Sequence, residues 1–136
     1  MVQGFGVVVI THGSLGESLL DTCRMITGEM TGVSCVSVGS KDDVDLVRTR
    51  ISTAIDKVKG PMGAILLVDM FGGTPSNIAL SFLTGKDIEV VTGVNLPMLT
   101  KLFAFGPEIP LHEAAVLLRD YGREHIKVAT EYLTGD

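Results

Sequence analysis

A histidine, an aspartate and a pair of glycines stand where apolar runs of this sequence break off. His12 ends Val7-Val8-Val9-Ile10-Thr11 and is followed by Gly13-Ser14-Leu15-Gly16. An imidazole near neutrality serves as nucleophile, base or metal ligand, or merely caps the next helix. Asp69 ends Ile65-Leu66-Leu67-Val68. A carboxylate there either satisfies loop amides or accepts the proton of one histidine ring nitrogen. The second arrangement fixes the tautomer and leaves the other nitrogen free to attack. Phe71-Gly72-Gly73-Thr74-Pro75-Ser76-Asn77 follows. Its glycines allow close backbone approach, and a helix starting at Pro75 with Thr74 as N-cap would aim free amides at an anion. Thr74 and Ser76 add hydroxyl donors. The same segment also reads as an ordinary strand-to-helix turn. With neither GxxxxGK[ST] nor GxGxxG present, a phosphoryl group carried on His12 fits better than ATP as direct substrate.

The elements that must position these residues alternate regularly. Phe5–Thr11, Val33–Val38, Gly63–Val68 and Ile88–Thr92 read as strands. Leu15, Leu19, Cys23 and Ile26 mark one helix, capped at Gly28, and Val44, Val47, Ile51, Ile55 and Val58 mark the next. The helix from Pro75 carries Ile78, Phe82 and Leu83 inward and ends by Gly85. Met98–Phe105 and Leu111–Arg123 read as helices, and Ile126–Thr130 as a last short strand. This alternation predicts an α/β fold: a doubly wound, mainly parallel open sheet with helices on both faces. In the order 2-1-3-4, His12 and Asp69 would line one crevice at the switch point. The last strand is too short to stand alone, and a homodimer would pair it with the other subunit's sheet.

Composition narrows the function classes. The 136 residues suit one domain, with 46% hydrophobic and 20% charged residues. A net charge of -5, with no basic or aromatic cluster, argues against nucleic acid and for a partner with a positive face. The longest apolar stretch, Met62–Val68, is far too short for a membrane span. No basic start precedes an apolar run, so a cytoplasmic location is expected. Cys23 and Cys35 lack ligand spacing and read as reduced core thiols. His12, His112 and His125 share no metal-binding spacing, so neither a metal nor another cofactor is expected. His112 and His125 read as surface residues. Ser14 beside His12, without GxSxG, makes no credible triad.

Val-Ile-Thr-His-Gly, Leu-Val-Asp-Met-Phe-Gly-Gly-Thr-Pro-Ser-Asn and Val-Thr-Gly-Val-Asn-Leu-Pro-Met-Leu occur in this order, with matching spacing as far as Tyr121-Gly122-Arg123. In this the chain resembles the IIA component of the mannose-family sugar phosphotransferase system. The resemblance implies a phosphotransferase in which His12 takes a phosphoryl group from the phosphocarrier HPr and passes it to a IIB protein, with Asp69 orienting it. It also implies a doubly wound sheet in a homodimer, with a C-terminal edge strand, antiparallel to the others, contributed across the dimer, and membrane contact only through IIC and IID components. The implied phosphoryl-binding set is Thr11, Gly13, Ser14, Phe71, Gly72, Gly73, Thr74 and Ser76. Many relatives carry Trp where this chain has Phe71. Residues 1–136 are expected to form a single IIA domain without a fused IIB. The phosphocarrier subunit of dihydroxyacetone kinases shares the His-Gly and Gly-Gly-Thr/Ser-Pro motifs and is the alternative. A regulatory module not coupled to sugar uptake is a third reading.

Overall fold

The computed structural model describes residues 4–84 and 87–134. Its sheet comprises β1 (Gly6–His12), β2 (Val33–Val38), β3 (Ala64–Val68) and β4 (Ile88–Thr92), all parallel in the order β2-β1-β3-β4. Both central strands are buried through their apolar lengths, which is why they read as continuous rather than alternating hydrophobic runs. Val7, Val9, Ile65 and Leu67 face one core, where they meet α1 (Leu15–Thr27), α4 (Leu96–Lys101) and α5 (Leu111–Glu124). Val8, Ile10, Leu66 and Val68 face a second core under α2 (Val44–Val58) and α3 (Thr74–Leu80). The expected doubly wound architecture is therefore present.

Register sets the site. β1 pairs with β3 up to Ile10 against Val68, but with β2 as far as His12 against Val38. The end of β1 thus stays anchored on the β2 side while the chain leaves β3 at Asp69. The strands part there, at the switch point, and open the crevice.

Four local expectations need correction. Residues 129–134 form a short helix, α6 (Ala129–Thr134), rather than contributing to an antiparallel edge strand. A five-residue strand needs a ladder partner, whereas a helical turn satisfies its backbone locally, as in the bond from Tyr132 N to Val128 O at 3.1 Å. Second, α1 faces the sheet with Gly16, Leu20 and Cys23, leaving Leu15 and Ile26 exposed. The glycine lets the helix backbone approach the strands, so the helix is rotated from the face that its bulky residues suggest. Third, Gly73 rather than Thr74 is the N-cap of α3, with Pro75 one position further in. That helix ends at Leu80, Leu83 is exposed, and Gly85 lies outside the described residues. Fourth, the helix expected from Met98 starts at Leu96 and continues as a 3-10 turn over Leu102–Ala104. Asn95 causes this: its Oδ1 accepts from Met98 N at 3.0 Å while its Nδ2 donates to Gly122 O at 3.2 Å, joining α4 to α5. The Val-Asn-Leu-Pro-Met motif is thus a structural clasp.

Cys23 is buried and Cys35 half-buried, and both are free thiols. Burial, with Glu17 nearby, pushes the Cys35 thiol up to about 11, so it stays protonated at neutral pH. Among the described residues no helix is long and apolar enough to cross a membrane.

Candidate functional site

The crevice brings together the two residues that the sequence sets 57 positions apart. The Nδ1 atom of His12 lies 2.8 Å from Oδ2 of Asp69, and the His12 backbone amide donates to the same oxygen at 2.9 Å. The other carboxylate oxygen accepts from Met70 N at 2.9 Å. A carboxylate facing Nδ1 requires the ring to donate from that nitrogen, which leaves Nε2 with its lone pair when the ring is neutral. Burial raises the Asp69 carboxyl pKa, but the His12 amide, ring and charge and the Met70 amide outweigh it. The group is held below its ordinary value. Asp69 is therefore ionised at neutral pH. Its side chain is only 10% exposed, whereas that of His12 is 51% exposed. The anchor is sheltered and the ring is open to a reactant.

Gly73 forms the other wall. A Cβ at this residue would lie 2.8 Å from Cε1 and 3.1 Å from Nε2 of His12, so only glycine leaves the ring its present place. Gly72, at φ +94°, makes the turn that brings this backbone in. A group bonded to Nε2 would consequently adjoin the Gly72–Gly73 backbone and the first turn of α3, whose leading amides have no intrahelical acceptor.

The expected set divides by exposure. Gly13, Ser14, Phe71, Gly72 and Thr74 are exposed beside the crevice and Gly73 is half-buried. Thr11 and Ser76 are completely buried, so neither hydroxyl faces a ligand, contrary to expectation. The Thr11 hydroxyl accepts from Gly16 N, and that of Ser76 has no partner among the described residues. Sequence reasoning missed the supports. Val38 O receives the Gly13 amide at 2.9 Å, and Thr74 shares a cleft between α2 and α3 with Val44, Arg48, Asn77 and Ile78. No local signal marks these, because each arises from register or packing. His112 pairs with Glu89 at 3.0 Å, and His125 donates from Nδ1 to Tyr121 O at 2.8 Å, both along α5 and its end. Among the described residues no group of three or more His, Cys, Asp or Glu side chains could hold a metal ion.

Two predictions follow from this geometry. Gly73→Ala should keep the fold but displace the His12 ring, seen as a changed Nδ1–H resonance. An unshifted His12 signal in a folded variant would show that the ring does not need the glycine. The depressed Asp69 pKa means that the folded chain gives up this proton at lower pH than the unfolded chain does. Its stabilisation is complete above the ordinary carboxyl value of 3.8 and is lost as pH falls through the lower folded value. Asp69→Asn should therefore flatten the acid limb of Tm against pH, and a limb as steep as in the parent would contradict this.

Comparison with known proteins places this geometry in a family. The EIIA-man family model, described as the PTS system fructose IIA component, matches residues 6–116. The PTS system mannose-specific EIIAB component of Escherichia coli (strain K12) is 32% identical over 123 residues. That match covers 89% of this chain but only 38% of the relative, so the chain spans about two fifths of its length. The PTS system fructose-specific EIIA component of Bacillus subtilis (strain 168) is 26% identical over 128 residues, covering 93% of this chain and 88% of that protein. Among solved structures, the mannose/sorbose specific IIA subunit of the phosphotransferase system from Enterococcus faecalis superposes with a TM-score of 0.80 at 26% identity, over 91% of this chain and 93% of that one. The PTS IIA protein associated with the fucose utilization operon from Streptococcus pneumoniae gives 0.82 at 26% identity, over 98% and 99%. With the family model spanning all four strands and the residues of the crevice, this chain belongs to the mannose-type EIIA family of the sugar phosphotransferase system.

Proposed function

We propose that the protein is a phosphocarrier of the phosphoenolpyruvate-dependent sugar phosphotransferase system, with His12 as the residue that carries the phosphoryl group. The observation behind this reading is the pairing of His12 Nδ1 with Asp69 at 2.8 Å, beside a glycine that leaves Nε2 unobstructed. In the proposed step the Nε2 lone pair attacks the phosphorus of phosphorylated HPr. A P–N bond forms on His12 as the donor's P–N bond breaks, and the donor imidazole keeps that electron pair. Asp69 retains the Nδ1 proton by hydrogen bond and opposes the positive charge that develops on the ring. The Gly72–Gly73 backbone and the start of α3 offer amides to the phosphoryl oxygens, and Thr74 offers a hydroxyl. In-line transfer then depends on positioning and charge stabilisation, supplied by groups already in place. Transfer to the ring of a IIB protein repeats the step in reverse.

The surroundings favour protein partners over a small-molecule substrate. Leu15, at the start of α1, and Met70 and Phe71, in the loop after β3, stand 48%, 56% and 71% exposed beside the crevice. Apolar side chains clustered around an open reactive ring suit a transient protein interface. The net charge of -5 suits a donor with a positive face.

The test is labelling with phosphoenolpyruvate, enzyme I and HPr, without nucleotide. His12 should be the sole site, giving an acid-labile, alkali-stable product. His12→Ala should abolish label, while His112→Ala and His125→Ala keep it. Asp69→Asn should slow transfer by roughly a hundredfold or more with the fold intact. Label persisting in His12→Ala, or a requirement for ATP, would refute the assignment. Chasing the label onto a IIB protein, rather than onto the acceptor subunit of a dihydroxyacetone kinase, separates a transport role from its alternative.

We also propose a homodimer. Ile126, Val128, Tyr132 and Leu133 are 63–80% exposed at the end of the described chain, an apolar set that a second subunit would cover. Sedimentation should show a dimer at micromolar concentration that deletion of the residues after Arg123 dissociates. A monomer unchanged by that deletion would overturn it.

A further inference from the structure

We propose that Thr11 is a positioning residue for His12: its buried hydroxyl ties the end of β1 to the first turn of α1 and so holds the loop that presents the imidazole. The inference deepens the phosphocarrier reading of His12 and rests on it. Odd-numbered residues of β1 face the α1 side of the sheet, where Val7 and Val9 are wholly apolar and wholly buried. Thr11 continues that row, also 0% exposed, and valine would have the same branched shape there. What threonine adds is an oxygen, and a hydroxyl in an apolar core costs stability unless it is bonded.

That oxygen both accepts and donates. It accepts from Gly16 N at 2.8 Å and donates to Gly13 O at 3.4 Å. Gly16 is the second residue of α1, and Ser14, at the N-cap, makes no side-chain cap bond. Thr11 therefore caps α1 from the strand that precedes the loop. Gly16 is what permits this, because a Cβ there would stand 3.2 Å from Thr11 Oγ1 and 2.7 Å from Cys35 Sγ. His12 and Gly13 are held on the other sides by Asp69 and Val38, through the His12 and Gly13 amides. Thr11 supplies the tie to α1. Small misplacements of a nucleophile cost large factors in rate, on the order of a hundredfold for 1 Å.

The test uses the full chain with Thr11→Val and Thr11→Ser. The first measurement is the His12 ring by 1H–15N NMR across pH, which needs no phosphoryl donor. The second is transfer from phosphorylated HPr at varied donor concentration. Thr11→Val should shift or broaden the Nδ1–H signal. It should also lower kcat by about ten- to a hundredfold with KM for the donor changed less than about twofold. Thr11→Ser should restore both. Should Thr11→Val not fold, Thr11→Ala in the same measurements decides, since it removes the hydroxyl without setting a methyl against the Gly16 amide. Parent-like ring signals and rates without the hydroxyl would overturn the proposal, as would a Thr11→Ser variant no better than Thr11→Val. If the unaltered protein takes no phosphoryl group from HPr, the phosphocarrier reading fails, while the ring signals still judge Thr11.

Discussion

The Asp69 carboxylate is the constraint around which this site is organised. It receives the His12 amide, the His12 ring and the Met70 amide, and so joins the ends of β1 and β3 where the two strands part. A largely sheltered carboxylate is costly unless its oxygens are occupied, and these are. One group thereby does three things: it joins the two strand ends at the base of the crevice, sets the ring tautomer, and keeps a negative charge beside the ring. Because amide and ring bond to the same oxygen, backbone placement and ring orientation are not independent.

Around that anchor the ring is bounded by contacts that involve missing atoms as much as present ones. Gly73 admits the imidazole and Gly16 admits the Thr11 hydroxyl; in each case a Cβ would fall within 3.2 Å of the atom it must spare. The glycines thus work through close approach in the folded state. The result is a histidine ring bounded by Asp69 and Gly73 whose side chain is half open to solvent, which suits the brief encounters with large partners proposed for it better than retention of a small one.

The two faces of the sheet divide the labour. α1 reaches the site through Gly16 and α3 through Gly73, from opposite sides. α4 and α5, clasped by Asn95, share the first face with α1. A four-stranded parallel sheet of modest size can support such a site because its central strands are buried along both faces and leave little room for the strand ends to shift.

The apolar runs ending at His12 and Asp69, the alternation of strands and helices, and the glycine pair before Thr74-Pro75 are local patterns. From them the sequence by itself determined the doubly wound fold and the residues that end its strands, while the order 2-1-3-4, the condition for His12 and Asp69 to share a crevice, is the one the sheet has. Periodicity carries that much because burial on both faces leaves few arrangements for such runs. Tertiary structure decided what depends on register and packing: that both His12 nitrogens of interest resolve into one bonded and one free, that Thr11 and Ser76 turn inward, and that α1 presents Gly16 rather than Leu15 to the sheet. It also decided the state of the last segment. Ile126–Thr130 has the composition of a strand, yet a strand requires a neighbouring edge, and residues 129–134 satisfy their backbone as a helix instead. Composition proposes an element, but only the presence or absence of a hydrogen-bonding neighbour settles which one forms.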